Sequence, residues 1–198
     1  QLRLKFMEKV KKIKIYVGLF YLTVVGIFLY YLFSKFSIQE LSSYEFIKDN
    51  IEYFTKIKNK NIFLLSLLFL IFTILWVFPF LGFGSPVALL AGFILGKWVG
   101  SIVAIIGLSV GASFLYIFAN FFLKEFVREK FLNKFENLEE KFKKSEFIYL
   151  LIYRFIGGIP WQLSCVLPTL FNVKVMNFFI ATLIGIIPQV FLVVSIGS

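Results

Sequence analysis

The sequence of 198 residues contains no histidine and a single cysteine, Cys165. Without histidine, the usual zinc and haem sites lose their commonest ligand, and Ser-His-Asp and Cys-His catalytic pairs are excluded. A lone cysteine also excludes a disulfide between two parts of this sequence. We therefore expect no enzyme activity, no cofactor and no metal site.

Charged residues are scarce, at 16% of the chain, whereas 60% of residues are hydrophobic and 20% are aromatic. Globular domains usually carry about 25% charged residues. The mean hydropathy is +0.88. This composition predicts an all-α polytopic membrane protein whose core is the helix bundle itself.

The basic residues do not form a nucleic-acid surface, although the formal net charge is +10. Six of them precede the first apolar run, and this placement is typical of an anchor that keeps the N-terminal side inside. They are Arg3, Lys5, Lys9, Lys11, Lys12 and Lys14. The uncharged run that follows, residues 15–33, is interpreted as a transmembrane helix rather than a cleaved signal peptide. No nucleic-acid partner is expected.

Composition divides the chain into two regions. Residues 1–60 comprise the basic segment, the first transmembrane helix and a connector, and residues 61–198 form the main membrane domain. The connector, residues 34–60, is predicted to lie on the membrane surface as an amphipathic helix, with a solvated linker as the alternative. A second interfacial helix is predicted over residues 124–146.

The uncharged run over residues 61–96 is too long for one crossing. As a single helix it would extend about 54 Å, against a hydrocarbon core of about 30 Å. Prolines and glycines interrupt it from Pro79 onward, so we expect a span over residues 62–78 and a re-entrant hairpin over residues 82–96. If residues 79–96 cross fully instead, the helix over 124–146 moves to the other side.

A similar interruption recurs after residue 147. The stretch 147–173 is broken by glycines and prolines, between predicted spans over 98–123 and 175–196. Paired interruptions in corresponding positions indicate two opposed re-entrant hairpins in an inverted repeat. The residues expected to shape the hairpins and helix kinks are Gly82, Gly84, Pro86, Gly92, Gly157, Gly158, Pro160, Pro168, Gly185 and Pro188.

Arg154 is the only charged residue between Glu146 and Lys174. A charge at membrane depth is costly unless it faces protein or a water-filled cavity, so it marks a polar pathway. Its guanidinium fits a phosphate in two hydrogen bonds. The predicted substrate-binding residues are Arg154, Gln162, Ser164, Ser85 and Gln189. The alternatives are that Arg154 pins its hairpin by bonding exposed carbonyls and that the two glutamines bond between helices.

Several of these motifs resemble the DedA superfamily, also called the VTT-domain or SNARE-associated Golgi protein family. They are the segment GSPVALLAGFILGKWVG at residues 84–100, Gly107, Gly111, Arg154, Pro160, Phe178, Thr182, Gly185, Pro188 and Gly197. The resemblance covers roughly residues 60 to 198, and identifies residues 61–198 as a VTT/DedA-like transport domain. It implies a lipid scramblase or flippase with two opposed re-entrant hairpins.

The expected function is therefore movement of lipids or lipid-linked phosphates between leaflets, through a polar crevice formed by the two hairpins. The expected partners are membrane lipids, either an anionic phospholipid or a polyprenyl phosphate such as the undecaprenyl phosphate that some bacterial relatives recycle. The expected location is the bacterial inner (cytoplasmic) membrane, and a homo-oligomer is left open. The alternatives are a small-anion transporter and a non-transporting membrane scaffold. The acidic membrane residues associated with proton coupling in some DedA proteins have no counterpart here.

Overall fold

The computed structural model describes residues 55–125 and 144–198 continuously, together with residues 53 and 142 and separate positions between 13 and 34. The chain divides into two units, Gln1–Asn50 and Ile51–Ser198. In the first unit, the described residues are all helical. Most of the predicted surface helices over 34–60 and 124–146 lies outside the described residues.

The described part of the second unit is helical and contains no strand, so the all-α prediction is confirmed there. Its elements are α1 (Ile62–Val77), α2 (Gly84–Leu95), α3 (Lys97–Phe122), α4 (Glu146–Ile156), α5 (Trp161–Val166), a 3-10 helix (Leu167–Phe171), α6 (Val175–Gly185) and α7 (Ile187–Gly197).

The first helix, α1, begins and ends close to the predicted limits of 62 and 78. Asn61 caps it, because its side-chain Oδ1 accepts a hydrogen bond of 3.0 Å from the backbone N–H of Leu64. Pro79 follows the C-cap and cannot continue the helix. The indole of Trp76 then donates to the carbonyl of Phe83 at 2.9 Å, which ties the end of α1 to the start of α2.

Most of the predicted hairpin segment, residues 82–96, forms one helix, α2. Its 12 residues extend about 18 Å, which is too short to cross a hydrocarbon core of about 30 Å. Gly96, with φ of 84°, ends α2 and is also the cap from which α3 begins. Whether this segment enters and leaves the membrane on one side stays a prediction, as does the inverted repeat.

The central helix is α3, which packs against α1, α2, α5, α6 and α7. The small residues of α3 permit this close packing. A Cβ added at Gly107 would lie 2.8 Å from Thr73, and one added at Gly111 would lie 2.7 Å from Val77. The predicted position of this glycine-containing helix in the bundle centre is therefore confirmed.

The last predicted span, residues 175–196, consists of two helices that bend by 46° between α6 and α7. The bend falls between Gly185 and Pro188, the two predicted kink positions. Among the described residues, α3 is long and apolar enough to cross a membrane, and the α6–α7 pair adds a second span if it counts as one. Membrane crossing by the other predicted spans stays a prediction.

Candidate functional site

Arg154 lies in the last turn of α4 and is only 5% exposed. Its guanidinium donates from Nε to Thr182 Oγ1 at 3.1 Å and from Nη1 to Ser164 Oγ at 2.5 Å. A longer contact of 3.5 Å joins Nη2 to Cys165 Sγ. The side chain thus links α4 to α5 and α6. Its hydrogen-bond partners among the described residues are all uncharged, so they leave its positive charge unneutralised.

Two aromatic rings hold the guanidinium from the sides. Its Cζ lies 5.1 Å from the ring centroid of Trp161 and 4.9 Å from that of Phe178. Phe178 is itself stacked on Tyr116, with ring centroids 4.6 Å apart. The negative faces of aromatic rings attract a cation, so they stabilise the charge without a carboxylate.

Gly185 allows α4 and α6 to approach each other at Arg154. A Cβ added at Gly185 would lie 2.6 Å from Arg154 Cβ, closer than real Cβ contacts. The approach brings Thr182, one turn earlier on α6, within hydrogen-bonding distance of the guanidinium. The predicted kink residue therefore also positions the arginine.

Two adjoining cavities lie beside this side chain. A small cavity of about 40 Å³ is lined by Arg154, Ser164, Tyr153 and residues that it shares with a larger one. The larger cavity, of about 220 Å³, is additionally lined by Ser85 and Gly158. The shared walls are Gly157, Ile159, Trp161, Ile186 and Gln189. The two cavities adjoin at these five residues, and together they form a concave region that extends from Arg154 to the start of α2.

The N-terminus of α2 opens on the larger cavity. Gly84 and Ser85 line the cavity, and no side chain caps this end of the helix. The first N–H groups of a helix have no partner within the helix and carry partial positive charge. Backbone donors and Arg154 thus lie at opposite ends of one concave region.

Two glycines and a proline form the break between α4 and α5. Gly157 and Gly158 have φ of 67° and 80°, which side chains rarely adopt, and Pro160 is the N-cap of α5. Pro168 lies in the 3-10 helix. These predicted interruptions are confirmed as local structure. The break supplies Gly157 and Ile159 to the wall that the two cavities share.

The two predicted glutamines lie in different places. Gln189 donates to the carbonyls of Arg154 and Phe155 at 3.3 and 3.1 Å, and it lines both cavities. Gln162 instead donates to the carbonyl of Leu81 at 2.6 Å and lines neither cavity. All three bonds join separate segments of the chain, which is the alternative that the sequence left open. A contact of either glutamine with substrate stays a prediction.

The structure brings together Arg154, Ser164 and Gln189, and places Ser85 at the far end of the same region. No binding role was predicted for Trp161, Phe178 or Thr182, although Phe178 and Thr182 belong to the motif residues of the resemblance. Their spacing could have indicated part of this arrangement, because residues 178, 182 and 185 fall on one face of a helix.

The family model of the VTT domain matches residues 78–198. The chain belongs to the VTT domain family. This is the domain of the DedA and SNARE-associated proteins, so the resemblance found in the sequence is confirmed. The match begins at the break after α1 and contains every lining residue of both cavities. No solved structure matches this VTT-domain chain at a significant level. The VTT domain family is membrane-associated.

Proposed function

We propose that this VTT-domain protein moves anionic lipids or lipid-linked phosphates between the two leaflets of a membrane, with Arg154 as the phosphate ligand. The observation that carries the proposal is a buried arginine with uncharged hydrogen-bond partners at the wall of a concave region. The proposed location, the bacterial inner membrane, rests on the resemblance alone.

The charge of Arg154 favours an anionic ligand. A cation held in apolar surroundings is expensive, and pairing with an anion recovers part of that free energy. Arginine has five N–H donors, and three are engaged with Thr182, Ser164 and Cys165. Two N–H groups therefore remain for phosphate oxygens, which accept the charge-assisted bonds that guanidinium forms best.

The start of α2 supplies a second anion-binding element. A phosphate that leaves Arg154 along the concave region meets the N–H groups of the first turn of α2, beside Ser85. Two attractive positions allow a headgroup to move in steps while its hydrocarbon chains stay in the bilayer. Movement of the headgroup between these two positions requires no energy source, so the proposed lipid movement is passive.

The decisive experiment measures transbilayer movement of a fluorescent phosphatidic acid in proteoliposomes. Arg154→Ala should slow the movement at least about ten-fold, because a charge-assisted hydrogen bond contributes about 1.5–3 kcal/mol. Arg154→Lys should retain part of the rate, since lysine keeps the charge but loses the fork. Lys97→Ala is the matched control, because it removes a positive charge that lines neither cavity.

Unchanged lipid movement in a folded Arg154→Ala protein would contradict the assignment of Arg154. A small-anion transporter would use the same charges, so inorganic phosphate flux is measured in the same vesicles. Arg154-dependent phosphate flux without lipid movement would favour that alternative function.

A further inference from the structure

We propose that a separate apolar cavity beside Arg154 holds part of a hydrocarbon chain of the transported lipid. This tail cavity measures about 270 Å³. Its lining residues are Phe142, Tyr153, Ile159, Leu167, Pro168, Leu170 and Phe171. The inference rests on the proposed function, since it assigns the chain of the lipid whose phosphate Arg154 binds.

The tail cavity and the small cavity of Arg154 share two walls. Tyr153 and Ile159 line both of them. Tyr153 also directly precedes Arg154 in α4. A lipid with its phosphate at the guanidinium would therefore have its first chain atoms beside two side chains that also line the tail cavity. This proximity to the phosphate position selects a lipid chain as the occupant.

The chemistry of the lining fits hydrocarbon. Phe142 and Phe171 are stacked, with ring centroids 4.1 Å apart, and aliphatic side chains and Pro168 complete the walls. The one polar side-chain group in the lining is the hydroxyl of Tyr153, whose oxygen is buried without a hydrogen-bond partner. Burying a hydroxyl without a partner is costly. An ester or phosphate oxygen between headgroup and chain would supply the acceptor that this hydroxyl lacks.

The volume of the tail cavity limits the size of the group that it can hold. Whole small molecules usually occupy about 300–1,000 Å³. A cavity of about 270 Å³ therefore accepts a section of one chain, and the rest of the lipid stays in the bilayer. A free phosphate would gain nothing from this cavity, so the cavity discriminates between lipid phosphates and soluble ones.

The test compares two tryptophan variants in the detergent-purified protein. Leu167→Trp fills the tail cavity from its wall. Leu163→Trp adds the same bulk one turn earlier, at an exposed residue that lines none of the three cavities. Dioleoyl phosphatidic acid and glycerol 3-phosphate are each titrated against the wild type and both variants.

Leu167→Trp should weaken binding of dioleoyl phosphatidic acid roughly ten-fold, which corresponds to about two methylene groups withdrawn from apolar contact. It should leave any binding of glycerol 3-phosphate unchanged, and Leu163→Trp should affect neither probe. Equal affinities of the two tryptophan variants for the lipid would contradict the binding of a lipid chain in the tail cavity. Loss of lipid binding in Arg154→Ala would then still support the proposed function.

A second measurement needs no variant of the tail cavity. A phosphatidic acid that carries a diazirine at the end of one acyl chain is irradiated with the reconstituted protein. Adducts should concentrate on residues 167–171 and should decrease with excess unlabelled phosphatidic acid. Adducts spread evenly over exposed apolar residues, without competition, would show bulk bilayer contact only and would overturn the inference. If adducts on residues 167–171 persist in Arg154→Ala, the tail cavity binds the chain but Arg154 is not the phosphate ligand.

Discussion

Gly185 is the residue on which the position of Arg154 depends most directly. Gly185→Ala places a methyl group 2.6 Å from Arg154 Cβ, so α4 and α6 must separate. Overpacking of this kind costs about 1–3 kcal/mol. We therefore expect a lower thermal unfolding midpoint and slower lipid movement, measured on the purified and the reconstituted variant respectively.

The matched control for this substitution is Gly18→Ala. Gly18 is also helical, and an added Cβ there meets nothing within 4 Å. Alanine in a helix is favoured over glycine by about 0.5–1 kcal/mol, so the control should be neutral or slightly more stable. An unfolding midpoint of Gly185→Ala equal to that of the wild type would show that α4 and α6 do not meet as described.

The sequence alone could predict Arg154 as a candidate site residue, because an isolated charge in an apolar stretch is visible without a structure. It also predicted Ser164 and Gln189 beside it. The rings of Trp161 and Phe178 could not be predicted, since their function depends on where α5 and α6 lie relative to α4. Gln162 lies away from this group, and its side chain donates to the carbonyl of Leu81, a contact that its polarity alone does not predict.

At the scale of the element, α2 is held by backbone contacts on two sides. A Cβ at Gly92 would overlap the carbonyl oxygen of Val194 in α7. A Cβ at Gly100 of α3 would likewise overlap the carbonyl oxygen of Ala91. The small residues thus act as a packing surface along α2, as in closely packed membrane helices.

Gly92→Ala should therefore lower the unfolding midpoint of the protein in detergent, because overpacking against a backbone carbonyl costs about 1–3 kcal/mol or more. Phe93→Ala is the neighbouring control. Phe93 is 41% exposed, and substitutions at such surfaces usually change stability by less than about 0.5 kcal/mol. A larger loss in Phe93→Ala than in Gly92→Ala would contradict the described contact between α2 and α7.

Helix limits were predictable where the breaking residues act locally. Pro79 ends α1, and Gly185 with Pro188 marks the bend between α6 and α7. The re-entrant hairpin over residues 82–96 stays a prediction, but two of the residues expected to shape it lie inside a continuous helix. Pro86 lies in the first turn of α2, where proline is tolerated, and Gly92 serves packing rather than a turn.

At the scale of the whole molecule, the distribution of acids predicts movement without proton coupling. Helices α1, α2, α3, α5, α6 and α7 contain no Asp, Glu or His. Glu146, the first residue of α4, already accepts hydrogen bonds from the backbone of Lys174 at 2.8 Å and the amide of Asn177 at 2.9 Å. Collapsing a proton gradient with a protonophore should leave the rate in proteoliposomes unchanged.

The control for this experiment is Glu146→Gln, which keeps the shape of the side chain and removes its titration. Its rate should be equally indifferent to the gradient. A gradient-dependent rate in the wild type that disappears in Glu146→Gln would assign proton coupling to that carboxyl group and would contradict the passive mechanism.

The contact between Gly92 and Val194 also constrains when the protein can assemble. Ribosomes add about 5–20 residues per second. On the order of 5 to 20 seconds therefore pass between the synthesis of Gly92 in α2 and the synthesis of Val194, the residue of α7 that packs against it. During that interval the small-residue surface of α2 is open to other helices of the nascent chain, or to membrane insertion factors. Nascent chains halted before residue 194 should therefore show α2 in a different, more accessible environment than the finished protein.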